Sequence, residues 1–253
     1  MPNRNEATRQ PILGLIHTVA SLVETFDRLV LELGATMGVV AQHMVDEALL
    51  ATTRRDGLTK ETMRHLLAYA LASQESGADV VLVTCSSLGQ AVGVVAPLMD
   101  IPVLRVDEAM VHRALVLGRR IGVLATLEST LSPTVELIET EARRLGPDLA
   151  LDVRLCSGAF DAARRGEPER HDALILTELR SLLLKVDVVV LAQASMARAL
   201  TGLDPSDARV PILTSPRLAV ERAVDELSAI TASRALVVGT APEVPFGTPL
   251  QTG

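Results

Sequence analysis

Two stretches of this chain read as copies of each other. Asp79-Val-Val-Leu-Val-Thr-Cys85-Ser-Ser recurs as Asp187-Val-Val-Val-Leu-Ala-Gln193-Ala-Ser, 108 positions later (187 minus 79). Gly14-Leu-Ile-His-Thr18 recurs at the same offset as Gly122-Val-Leu-Ala-Thr126. Ile101-Pro102-Val-Leu and the segment 109–115 return at an offset of 109 as Val210-Pro211-Ile-Leu and 218–224. A period this long is not a solenoid unit and implies a duplicated half-domain, hence two lobes related by pseudo-symmetry. Where the first copy carries the thiol of Cys85, the second carries the amide of Gln193.

The repeated runs are short, rich in Val and bounded by turn residues, as expected for parallel strands buried on both faces. Strands are predicted over Ile12–Ile16, Val80–Val83, Val103–Val106, Ile121–Leu124, Leu151–Leu155, Val188–Leu191 and Ile212–Thr214. Between them a long amphipathic stretch follows the first strand. Helices are predicted over Thr59–Ser76, Ser86–Ala96, Pro133–Leu145, Asp172–Lys185 and Met196–Thr201. Alternating strands and helices imply an α/β fold of two three-layer α/β/α lobes with mainly parallel sheets and right-handed crossovers. The chain divides into a first lobe of residues 1–116 joined by about 216–253, and a second lobe of 117–215. The apolar run Ala235–Val238 is expected to add an edge strand or a helix end to the first lobe. The last ten or so residues are expected to be mobile or to lie on a partner subunit.

Ligands of parallel α/β folds bind beyond the carboxyl ends of the strands, so the active site is expected in the cleft between the lobes. The polar clusters fall there: His17-Thr18, Thr84-Cys85-Ser86-Ser87, Thr126 with Ser129 and Thr130, Gln193-Ala194-Ser195, and Thr214-Ser215. Helix N-termini at Ser86-Ser87 and Ala194-Ser195 would each hold a carboxylate oxygen. The same field would lower the pKa of Cys85. Thr126 and Thr130 are read as helix caps, ligand donors or both. His17 is read as a substrate contact or a loop hydrogen-bonder, Cys156 as structural, His171 as solvated beside an Arg-rich turn, and Asp79 and Asp187 as turn-formers.

Composition narrows the partners. Three Phe, one Tyr and no Trp leave few faces for stacking on bases, and a net charge of −7 at pH 7 disfavours a phosphate-tracking surface, so nucleic acid is excluded as a partner. No apolar run reaches the roughly 18 residues of a membrane span, and the start of the chain is polar, so no membrane partner and a cytoplasmic location are expected. Cys85 and Cys156 are read as free thiols. The five histidines at 17, 43, 65, 112 and 171 show no metal-ligand spacing, and Gly89 and Gly93 form only a weak pattern, far from a phosphate-cradling loop.

Cys85-Ser86-Ser87, Gly122-Val-Leu-Ala-Thr126 with Thr130, and the 108-residue register together resemble the aspartate/glutamate racemase superfamily, which includes hydantoin racemases, maleate isomerases and arylmalonate decarboxylases. The resemblance spans residues 11 to 224. It implies a cofactor-independent enzyme acting on a small carboxylate or carbonyl acid, with Cys85 and Gln193 at the catalytic positions. It also implies that His17, Thr18, Ser86, Ser87, Thr126, Thr130, Ala194 and Ser195 surround the substrate, and that the protein forms a homodimer or larger homo-oligomer. The departure is at Gln193. Two-base racemases of the family need a thiol on each side, and an amide neither accepts nor delivers a proton at useful pKa. A lone Cys85 is left as a general acid/base or as a nucleophile, for isomerase, racemase-like or lyase chemistry. A catalytically reduced carboxylate-binding protein and a cysteine hydrolase of small amides or imides are the alternatives.

Overall fold

The computed structural model describes residues 9–239 apart from Pro147. Its strands form two four-stranded parallel sheets. The first holds β1 (Ile12–His17), β2 (Val40–Val45), β3 (Val80–Val83) and β4 (Val103–Arg105) in the order β2-β1-β3-β4. The second holds β5 (Arg120–Ala125), β6 (Ala150–Leu155), β7 (Val188–Leu191) and β8 (Ile212–Thr214) in the order β6-β5-β7-β8. Adding four to each label of the first sheet gives the second, which is the duplication in three dimensions. The registers agree: Gly14 of β1 lies beside Val81, and Gly122 of β5 beside Val189.

The repeated glycines and aspartates now have causes. A Cβ on Gly14 would meet Ser73 at 3.2 Å, and one on Gly122 would meet Leu182 and Val186 at 3.3 Å. Each glycine lets a helix lie close against the central strand. The aspartates bind the start of one strand to the start of its neighbour. Asp79 accepts from the Ile12 N–H at 2.8 Å and from Arg9 and Arg234 at 2.5 and 2.6 Å. Asp187 accepts from the N–H groups of Arg119 and Arg120 at 3.1 and 2.9 Å and from the Arg120 guanidinium. Both are anchors between strands rather than simple turn-formers.

Helices cover both faces of each sheet. In the first lobe α1 (Val23–Leu33) packs Phe26 and Val30 against Leu13, Leu15, Val80 and Leu82. Leu49 of α2 (Glu47–Asp56), Leu66 and Ala70 of α3 (Lys60–Glu75), and Val92 of α4 (Gly89–Val95) cover the opposite face. Asp46 caps α2 through the Ala48 N–H, and Thr59 caps α3 through the Thr62 N–H. In the second lobe, α7 (Ala159–Arg164) and α8 (Pro168–Leu182) cover one face with Ala159, Ile175 and Leu179.

Two helices pack on the sheet of the lobe that they do not follow in sequence. Met110, Val111 and Ala114 of α5 (Glu108–Leu117) pack with Leu131 and Ile138 of α6 (Glu128–Leu145) on the second sheet, although α5 follows a strand of the first. In return, Ala219, Val220, Ala223 and Leu227 of α9 (Ser215–Gly239) join the first-lobe core. A division at residue 117 follows the chain, whereas packing assigns α5 to the second lobe. The run Ala235–Val238 falls in the end of α9; the final residues lie outside the described part.

Several boundaries differ from those predicted. α6 starts at Glu128 and carries Pro133 inside it. α8 begins at Pro168, where a ring with no N–H is tolerated, so His171 lies within its first turns. The predicted helix from Ser86 is a three-residue 3₁₀ turn, the seven-residue α4 and a second 3₁₀ turn at Ala96–Leu98. The segment Ala194–Gly202 is 3₁₀ throughout. No described helix is long and apolar enough to cross a membrane.

Candidate active site

The carboxyl ends of β1, β3, β5 and β7 open into one cleft of about 1000 Å³ between the lobes. Thr18, Thr84, Cys85, Ser86 and Ser87 line it from the first lobe, and Thr126, Thr130, Gln193, Ala194 and Ser195 from the second. The two central strand ends are stitched together. The Ser86 hydroxyl donates to the Ala192 carbonyl at 3.0 Å, and the Ser87 and Thr130 hydroxyls lie 3.0 Å apart. Ser129 reaches only the Ser87 hydroxyl, at 3.4 Å.

The repeat extends to the neighbours of the two residues. Thr18, which follows β1, is close enough to the Cys85 sulfur, which follows β3, to favour its thiolate. Its counterpart Thr126, at the end of β5, donates its N–H and hydroxyl to the Gln193 carboxamide oxygen at 2.5 and 2.8 Å. An N–H can only donate, so the oxygen of Gln193 faces Thr126 and its NH₂ faces away. Residues 85 and 193 thus occupy equivalent places at the ends of β3 and β7 in one cleft. Both cysteines are free thiols.

Burial pushes the Cys85 thiol up from its ordinary value. Hydrogen bonds from Thr18, from the N–H groups of Ser87 and Leu88, and from the Ser87 hydroxyl pull the other way without overcoming it. The predicted lowering is outweighed: the N–H groups of the turn after Cys85 do favour the thiolate, but desolvation by burial is larger. At neutral pH Cys85 rests as a thiol. Cys156 is buried, lies away from the cleft, and is pushed by burial up to about 12, consistent with a packing role.

Other predicted residues sit elsewhere. His17 is completely buried and does not line the cleft. Its Nδ1 lies 2.9 Å from the Thr84 hydroxyl and its Nε2 3.0 Å from Nδ1 of His43, on which it stacks. The Thr84 hydroxyl donates to the Ile16 carbonyl, so His17 supports the cleft floor from beneath and is not a substrate contact. Burial, then the charge of His43, lowers its pKa to about 4. Thr214 and Ser215 are outside the cleft, where Ser215 is fully buried. His171 is a correction in the other direction. It is buried rather than solvated, and it lines the cleft.

The cleft mouth brings in residues that the sequence did not announce. Arg28, Arg54, Arg164 and Arg198 line it, with Glu47 as their acidic counterweight. Arg54 of the first lobe stacks over the Phe160 ring of the second at 4.3 Å, a cation–π contact that spans the cleft. Cationic walls beside hydroxyls, N–H groups and one thiol suit a small anion. Among the described residues no group of His, Cys, Asp or Glu has the clustering of a metal site.

The model of the Asp/Glu/Hydantoin racemase family matches residues 13–223. The chain belongs to that family. Solved structures agree with the fold. Glutamate racemase from Francisella tularensis subsp. tularensis SCHU S4, in complex with D-glutamate, superimposes with a TM-score of 0.65 at 12% identity over 90% of this chain and 83% of that one. Allantoin racemase from Klebsiella pneumoniae gives 0.59 at 18% identity over 87% and 88%. Arylmalonate decarboxylase gives 0.55 at 15% identity over 86% and 92%. No curated protein matches in sequence.

Proposed function

We propose that this family member is a cofactor-independent enzyme that moves a proton at the carbon beside a carboxylate or related carbonyl, with Cys85 as its single thiol. The observation that carries the reading is the paired geometry: Cys85 and Gln193 follow equivalent strands and line one cleft with Thr18 and Thr126, among hydroxyls and arginines. In this scheme the negative charge that develops on the substrate oxygen meets Ser86, Ser87 and Thr130 from one side and the Gln193 NH₂ from the other. Fixed donors placed where charge develops lower the barrier more than they strengthen ground-state binding. A resting thiol suits a proton donor, and after giving up its proton it becomes the base for the reverse step. The outcome is racemisation, isomerisation or, where the departing group is carbon dioxide, lyase chemistry.

The test is hydrogen exchange. Aspartate, glutamate, a substituted hydantoin and an arylmalonate are incubated with the protein in deuterated water, and label at the α-carbon is read by mass. Label is expected with the wild type, and Cys85→Ala should lose it in at least one enantiomer of each chiral substrate; wild-type labelling of both enantiomers by the alanine variant removes Cys85 from the step. A covalent adduct on Cys85 in the intact mass would favour nucleophilic hydrolysis instead. Tight binding without turnover would favour a carboxylate-binding protein.

A further inference from the structure

Gln193 leaves the second lobe without an acid or base at the position equivalent to Cys85, yet that lobe's wall holds one. His171 is only 4% exposed and lines the cleft from the first turns of α8. Its Nδ1 lies 2.8 Å from Asp172 Oδ1. That same oxygen accepts from Arg198 at 3.0 Å, and Arg198 also donates to the Pro168 carbonyl at 3.1 Å. The carboxylate is therefore fixed by the guanidinium, and the imidazole is fixed by the carboxylate.

The tautomer follows from the donors. A carboxylate only accepts, so Nδ1 carries the hydrogen and Nε2 of the neutral ring carries the lone pair. Among the described residues Nε2 has no hydrogen-bond partner, nor is it one of the buried, unsatisfied nitrogens. A ring that lines the cleft with its second nitrogen open is placed as a base.

We propose that His171 is the proton-transfer group of the second lobe, working opposite Cys85 on the other face of the substrate carbon. The inference rests on the proton-transfer reading of the cleft. In one direction His171 Nε2 takes the α-proton, directly or through one water, and the electron pair moves onto the substrate oxygen as an enolate. The Cys85 S–H then gives its proton to the opposite face, leaving a thiolate and an imidazolium. The reverse direction starts from that pair, takes the proton with the thiolate and returns it from the imidazolium. No electrons enter or leave, and proton exchange between the two groups and water resets the site. The charged groups around His171 are Asp172, which it contacts, and Arg198, which contacts Asp172; Arg28, Glu47, Arg54 and Arg164 line the same cleft.

The experiment separates exchange from inversion. Single enantiomers of aspartate, glutamate and a substituted hydantoin are followed in deuterated water with wild-type protein, His171→Gln and Asp172→Asn. Wild type is expected to interconvert enantiomers with label. His171→Gln should lower interconversion by roughly 100-fold or more, while label still enters the enantiomer whose proton faces Cys85. Asp172→Asn, which keeps the shape but frees the tautomer, should fall between them. Interconversion at the wild-type rate in a folded His171→Gln protein overturns the inference, as does equal loss of exchange and inversion. Absence of any exchange in wild type instead sinks the reading of the cleft. A readout free of turnover is nitrogen NMR of the His171 ring. The Nδ1–H tautomer is expected, with an Nε2 signal that moves on saturation with malonate. A stationary Nε2 signal, or the opposite tautomer, overturns the inference.

Discussion

Acid should destabilise this protein through one histidine, and the size of the effect follows from its burial. His17 has no exposed surface and holds a pKa of about 4, against 6.5 for the free side chain, because burial and the neighbouring His43 oppose its charged form. Between those values the unfolded chain binds a proton that the folded protein does not. The stability contributed by a neutral His17 is complete above pH 6.5 and is lost as pH falls toward 4, below which the loss levels off. The full difference is about 3.4 kcal/mol at 1.36 kcal/mol per pH unit, of which about 2.5 kcal/mol is gone by pH 4.5. Urea unfolding of wild type and His17→Asn at pH 7.5 and 4.5 isolates it, since other groups titrate in both proteins. The variant is expected to be less stable than wild type at pH 7.5, because the ring contact and one hydrogen bond are lost, and to close most of that gap at pH 4.5. Parallel pH dependence in the two proteins would refute the reasoning.

Three more outcomes follow from the same geometry. Asp79→Ala removes the buried acceptor of the Ile12 N–H and of two part-exposed arginines, so unfolding by urea should show a loss of about 1–3 kcal/mol, whereas the less buried counterpart Asp187→Ala should cost less. Thr126→Val removes one of the two bonds that hold the Gln193 oxygen and should slow turnover by roughly 5- to 10-fold with little change in melting temperature. Because burial holds Cys85 protonated beyond the ordinary range of a thiol, kcat/KM should be level from pH 7.5 to 9 and fall at higher pH. A tenfold rise per pH unit over that range would instead mean that the thiolate alone is the reactive form.

The repeat made the centre of the fold legible. β1, β3, β5 and β7 are short, mainly apolar runs suited to burial, and their shared offset matched Cys85 with Gln193 and Thr18 with Thr126. β2 was hidden because Val40–Val45 is a half-exposed edge strand containing Gln42 and His43, which reads as neither a buried run nor a clean alternation. The return of the last helix to the first lobe was expected from the sequence, but the packing of α5 on the second sheet was illegible: an apolar stripe says that a helix must be covered, not by which sheet. His171 was misread because its neighbours in sequence are charged. A helix turns only one side to solvent, and the 3.6-residue period places His171 on the inner side while Arg170 stays out. The arginines of the mouth come from α1, α2, α7 and the 3₁₀ segment after Gln193, and only tertiary packing brings those together.

The central claim is that the ends of β3 and β7 face one ligand, with a thiol on one side and an amide on the other. A crystal structure with malonate bound tests it most directly. One carboxylate is predicted between Cys85 Sγ and the Gln193 NH₂, within reach of the Ser86 and Ser87 N–H groups, and a second toward the arginines of the mouth. Malonate bound elsewhere at saturation, such as the shallow pocket between Leu200 and Ile212, with the cleft holding only solvent, would contradict the account.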